Sequence, residues 1–151
     1  MKRDAQFVKA VDVPYPQVRD RLRDDPASVF HPGAAEGRIA ARLVAHLRGT
    51  AVARDIEIEI VAFDEPSGLA AGAHLMFRAD ASRHPDLFPH LEGRLDAVPV
   101  SATRTALFLI ATYKPPLGVV GGAADALVLH RFAEESLSGL LDAIAGRLER
   151  S

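Results

Sequence analysis

The sequence predicts an α+β fold in which a curved antiparallel sheet of six to seven strands wraps around one long C-terminal helix, with two short helices after the first strand. Three observations carry that expectation. Residues 38–62 alternate apolar and charged side chains on either side of a glycine, the mark of a half-buried hairpin. Residues 69–113 continue as short apolar-rich runs separated by turn residues. Residues 123–149 then change to apolar positions three and four apart, the period of a helix with one buried face.

The first strand covers residues 5–13 and stops at Pro14-Tyr15-Pro16. Neither proline can donate to a ladder, and each pushes the preceding residue away from helical geometry. Pro16 suits the first turn of a short helix through Val18 and Leu22. Asp25-Pro26 opens a second, through Val29 and Phe30, and His31-Pro32-Gly33 closes it.

In residues 38–48, Ile39, Ala41, Leu43, Ala45 and Leu47 share one face, opposite Arg38, Arg42, His46 and Arg48. Gly49-Thr50 reads as a two-residue loop, after which Ile56, Ile58, Ile60 and Ala62 alternate with Asp55, Glu57 and Glu59. Pairing Arg48 with Ala51 sets Leu43 opposite Ile56, Ala41 opposite Ile58, Ile39 opposite Ile60 and Arg42 opposite Glu57. Both faces are then satisfied at once, and a one-residue slip would turn charges into the core. The arginines therefore read as an exposed ladder, each pair contributing under ~1 kcal/mol, rather than as a phosphate site.

Asp64-Glu65-Pro66-Ser67-Gly68 is a turn by composition. Beyond it Leu69, Ala71, Ala73, Leu75 and Phe77 alternate with Gly72, His74, Met76 and Arg78. Residues 80–90 form the longest irregular connection, followed by strands at 90–98 and 103–113. In the last strand Leu107 to Ala111 is apolar on both faces, which suits a strand covered on both sides or one whose outer face meets a partner. The final helix, 123–149, carries Ala126, His130, Ala133, Leu137, Leu140, Ile144 and Leu148 on one stripe, widened by Leu129 and Leu141.

Length and composition narrow the functional classes. A chain of 151 residues fits a single domain spanning 1–151, and folding buries roughly 70% of the surface of such a chain. The net charge of −2 lacks the basic excess that nucleic acid demands. No stretch approaches the ~20 apolar residues of a membrane span, and Met1-Lys2-Arg3-Asp4 leads into no apolar leader, so no stable membrane insertion and a cytoplasmic location are expected. With no cysteine, disulfides, thiolate nucleophiles and thiolate-held metals are out. The weight of Ala, Arg, Asp and Gly points to a bacterial, GC-rich origin.

Residues Thr105 to Gly118, with their Tyr113-Lys114-Pro115-Pro116-Leu117-Gly118 turn, then Gly121, Asp125 and His130-Arg131-Phe132-Ala133-Glu134, are similar to the strand-to-helix junction of uncharacterised bacterial members of the START-like, or SRPBCC, superfamily. That superfamily includes birch-pollen-allergen proteins, polyketide cyclases/dehydrases and lipid-transfer domains. The resemblance implies a helix-grip architecture with a cavity between sheet and C-terminal helix that accepts an apolar or amphipathic small molecule. It implies no shared catalytic residue.

On this reading the cavity is lined from the strands by Ala41, Leu43, Ile58, Ala73, Leu75 and Phe77, and from the helix by His130, Ala133 and Leu137. The small inward residues Ala41, Ala45, Ala71 and Ala73 either leave room for a ligand or let the helix approach closely. His130 interrupts the apolar stripe. It either orients a ligand or moves a proton, or it is a core histidine bonded to a backbone carbonyl or a strand hydroxyl. Tyr113 and Tyr15 each bring a hydroxyl to a pocket rim or cap a core edge, and Arg54 on the Ile56 face either snorkels or meets an anion. The histidines, His84 and His90 in one loop among them, lack a metal-ligand spacing, and Gly118 to Gly122 lacks a phosphate-binding pattern, so no metal or cofactor is expected.

Three functions fit. The first is a binding or carrier protein for a hydrophobic or amphipathic small molecule. The second is a polyketide cyclase/dehydrase-like enzyme in which His130 or Tyr113 handles protons. The third is a homodimeric module joined through the apolar strand 105–113, without a ligand.

Overall fold

The computed structural model describes residues 3–31, 38–47, 49–66, 72–81, 90–113 and 123–150. Expectations for Pro32-Gly33, Arg48, Ala71, His84 and the junction at 114–122 fall outside the described residues, as do those for the side chains of Leu43, Ala45 and Arg54.

Six strands form one antiparallel sheet: β1 (Arg3–Val11), β2 (Arg38–Leu47), β3 (Thr50–Asp64), β4 (Ala73–Ala81), β5 (Leu91–Pro99) and β6 (Thr105–Tyr113), in the spatial order β1-β6-β5-β4-β3-β2. The helices are α1 (Tyr15–Asp24), α2 (Ala27–Phe30) and α3 (Ala123–Glu149). The sheet curls, and α3 packs against both of its edge strands, β1 and β2. Sequential strands from β2 to β6 pair as a meander. β1 instead joins β6, so α1 and α2 carry the chain from one edge of the sheet to the other.

Local chemistry explains the crossing. Pro14 occupies the helix N-cap and Pro16 follows in the first turn, so α1 begins where the strand can no longer donate. It buries Val18 and Leu22, while α2 buries Val29 and Phe30. The Phe30 ring meets Phe77 of β4 at 5.0 Å between centroids, tilted by 60°, an arrangement favoured by the opposed charge of ring face and edge. Thr105 Oγ1 donates to the Val13 carbonyl at 2.7 Å, fixing the chain just past β1 to the start of β6 inside the core.

The hairpin of β2 and β3 forms on the expected faces but two residues out of the expected register. Arg42 lies opposite Asp55, Ala41 opposite Ile56 and Ile39 opposite Ile58, with Leu47 facing Thr50. The loop is therefore 48–49, not 49–50, and Gly49 adopts a φ of 79°. A two-residue slip leaves every side chain on its own face, so alternation cannot detect it. The turn, which places its positive-φ glycine second, decides the register. Arg42 Nε donates to Asp55 Oδ1 at 3.0 Å on the exposed face.

A second correction concerns β3. Its pairing with β4 shifts between Ile60 and Ala62, so Ala62 faces outward opposite Met76, while Phe63 packs inward opposite Leu75. The bulge adds one residue and reverses the alternation beyond it. Strand β6 alternates fully buried residues, Thr105 to Tyr113, with half-buried Ala106, Phe108, Ile110 and Thr112 on its outer face.

Candidate functional site

A cleft of about 350 Å³ opens where α2 ends and β2 passes beneath α3. Its apolar walls are Phe30, Ala41, Leu140 and Ala143. Along α3 the lining residues Ser136, Gly139, Ala143 and Arg147 recur three or four apart, so they form one row beside the main buried stripe. Built onto Gly139, a Cβ would meet nothing within 4 Å, so the missing side chain leaves open space.

Two polar groups in this row stand out. Ser136 is 2% exposed, and its Oγ has no hydrogen-bond partner among the described residues. An unsatisfied buried hydroxyl costs on the order of 1–3 kcal/mol. Arg147 Nη1 donates to the carbonyls of Val29 and Phe30, both at 2.7 Å, and so caps the end of α2. Burial lowers the guanidinium from its usual pKa, and Arg150 adds to the effect. Among the described residues, no carboxylate lines the cleft.

His130 lies outside this row. Its Nδ1 is hydrogen-bonded to the buried Tyr113 hydroxyl, and its Nε2 lies 3.0 Å from Glu134 Oε1, one turn further along α3. A carboxylate only accepts, so in the neutral ring Nε2 carries the hydrogen and Nδ1 accepts from the tyrosine. Of the two roles open to His130, the contact with a strand hydroxyl is present, and Glu134 extends it into a three-residue chain. Tyr15 instead donates to Glu65 Oε2 at 2.7 Å, away from α3.

The remaining expected lining residues come together in one place. Ile58, Ala73, Leu75, Phe77, Ala133 and Leu137 are all buried in the shared hydrophobic core between sheet and helix, and Ala41 borders both that core and the cleft. Sequence reasoning missed Ser136, Gly139, Ala143 and Arg147. Their signal was a run of small residues flanking the apolar stripe, ended by a charge. A second hollow, about 430 Å³, lies on the outer face of the sheet among Val61, Met76, Arg78, Arg94, Ile110 and Thr112. Among the described residues, no cluster of three or more histidine and acidic side chains could hold a metal ion, and no helix is long and apolar enough to cross a membrane.

No protein-family profile and no curated protein sequence matches the chain. Solved structures do. The Zhui aromatase/cyclase from Streptomyces sp. R1128 superposes with a TM-score of 0.53 at 19% identity, over 99% of this chain and 95% of that one. A START superfamily protein from Mycobacterium smegmatis gives 0.54 at 18% identity, over 97% of both chains. The chain has the START-like fold. Norcoclaurine synthase from Thalictrum flavum shares the START-like fold as well, with a TM-score of 0.53 at 12% identity, over 99% of this chain and 86% of that one. In this START-like fold the cleft lies at the β2 edge, where α3 crosses the sheet beside the end of α2.

Proposed function

We propose that this chain is a cytoplasmic binding or carrier protein for a hydrophobic or amphipathic small molecule held between the sheet and the C-terminal helix. The observation that carries the reading is the cleft of about 350 Å³ against α3, walled by Phe30, Ala41, Leu140 and Ala143. Its volume falls within the ~300–1,000 Å³ of small-molecule sites, and its apolar walls with few polar groups have their usual character. The START-like fold supports the reading, since a START superfamily protein is among the similar structures.

Thermal denaturation against a panel of fatty acids, aromatic polyketides and sterols tests it. A true ligand at a hundredfold excess over its Kd stabilises the fold by about 2.7 kcal/mol. Native mass spectrometry of protein from its own host would show the molecule directly. A protein that emerges empty and gains nothing from any member of the panel is not a carrier.

The chain of Tyr113, His130 and Glu134 favours a second reading, an enzyme of the cyclase type. The similarity to an aromatase/cyclase supports it. Glu134 holds the imidazole so that Nδ1 faces the phenol, and the ring takes the phenolic proton as general base while Tyr113 receives one from substrate. Full turnover by a His130→Ala variant on an identified substrate would remove this role.

A further inference from the structure

We propose that the cleft between α2, β2 and α3 takes an amphipathic carboxylate, with its head on Arg147 and its chain running along α3 past Gly139. This rests on the carrier reading above and names the ligand class.

The charge balance of the cleft sets the head. Arg147, Arg42 and His31 border it, and among the described residues no acid does. Arg42 is already committed to Asp55 at 3.0 Å. Arg147 spends one nitrogen, Nη1, on the two α2 carbonyls, and its remaining N–H groups have no acceptor among the described residues. Carbonyl oxygens satisfy hydrogen bonds but leave the positive charge unpaired. A planar guanidinium with free N–H groups is the donor that a carboxylate matches best, and the charge-assisted bond is about twice as strong as a neutral one.

Geometry sets the chain. Ser136 and Arg147 are eleven positions apart, about 16 Å along the helix. Between them, among the described residues, Gly139, Leu140 and Ala143 line the α3 side, with Phe30, His31, Ala41 and Arg42 opposite.

Isothermal titration of the full chain with dodecanoic acid and dodecanol tests this. The acid is expected to bind about tenfold more tightly than the alcohol, since the charge-assisted bond is lost. Arg147→Met should level acid and alcohol, and Gly139→Leu, which fills the channel, should block both. Equal affinity of the unsubstituted protein for dodecanoic acid and dodecanol overturns the carboxylate assignment and leaves the carrier reading standing. Failure of both probes to bind, or binding that survives Gly139→Leu, overturns the cleft itself. The comparison of probes on the unsubstituted protein decides the matter even if Arg147→Met unfolds.

Discussion

Tyr15 shows how a single side chain reports its surroundings. Its hydroxyl donates to Glu65 Oε2 at 2.7 Å, and the Arg19 guanidinium sits 5.9 Å from its ring centre. Burial, then the bond and charge of Glu65, push its pKa from 10.0 up to about 12, against a smaller opposing pull from Arg19. A raised folded-state pKa means that the folded protein holds this proton more tightly than the unfolded chain does. The associated stability is whole below pH 10 and drains away as pH rises towards about 12. Denaturant melts of the unsubstituted protein and Tyr15→Phe should therefore differ below pH 10 and converge above 12. Ultraviolet titration should find Tyr15 ionising late, in a transition that Tyr15→Phe removes. A Tyr15 that titrates normally would show that the Glu65 contact does not persist in solution.

At the scale of elements, β4 and β5 meet through an aromatic ring laid over a glycine. Gly93 pairs with Phe77, and a Cβ at Gly93 would lie 2.3 Å from Phe77 Cζ. The ring cannot swing aside, because it is 2% exposed and tilted against Phe30. Gly93→Ala is expected to destabilise the protein by about 1–3 kcal/mol through overpacking, even though alanine is no worse than glycine for strand backbone. Guanidinium melts would measure this, and a neutral substitution would mean that the ring has room to move. The same scale holds the two corrections to the sequence reading. The β2–β3 register and the β3 bulge both preserve or exchange faces in steps that a pattern of alternation does not resolve.

For the whole molecule, α3 is the element on which closure depends. It joins edge strand β1 to edge strand β2, with Lys9 Nζ reaching Asp142 Oδ1 at 2.8 Å on one side and Arg147 tying in α2 on the other. Ile144 lies at the centre of this contact and is fully buried. Ile144→Ala should cost about 2–5 kcal/mol, the transfer of lost methyl groups plus the cavity they leave. Chemical denaturation should show a lower midpoint with an unchanged slope. An unchanged midpoint would mean that the helix does not bear on the sheet.

The sequence alone determined the element order, the bounds of the last helix and which face of each hairpin strand is buried, because these follow from local period and from prolines that no strand or helix interior tolerates. It also singled out His130 and Tyr113, since an imidazole on an apolar stripe and a tyrosine at a strand end are visible as departures from pattern. Only tertiary structure decided that these two meet each other and Glu134. It also set the hairpin register, and it left the hollow against α3 at Ser136, Gly139 and Arg147 while packing Ile58, Leu75 and Leu137 into a filled core. The reason is physical. Period assigns a residue to a face, but whether that face finds a partner or a gap depends on side chains supplied by elements a hundred residues away in the chain.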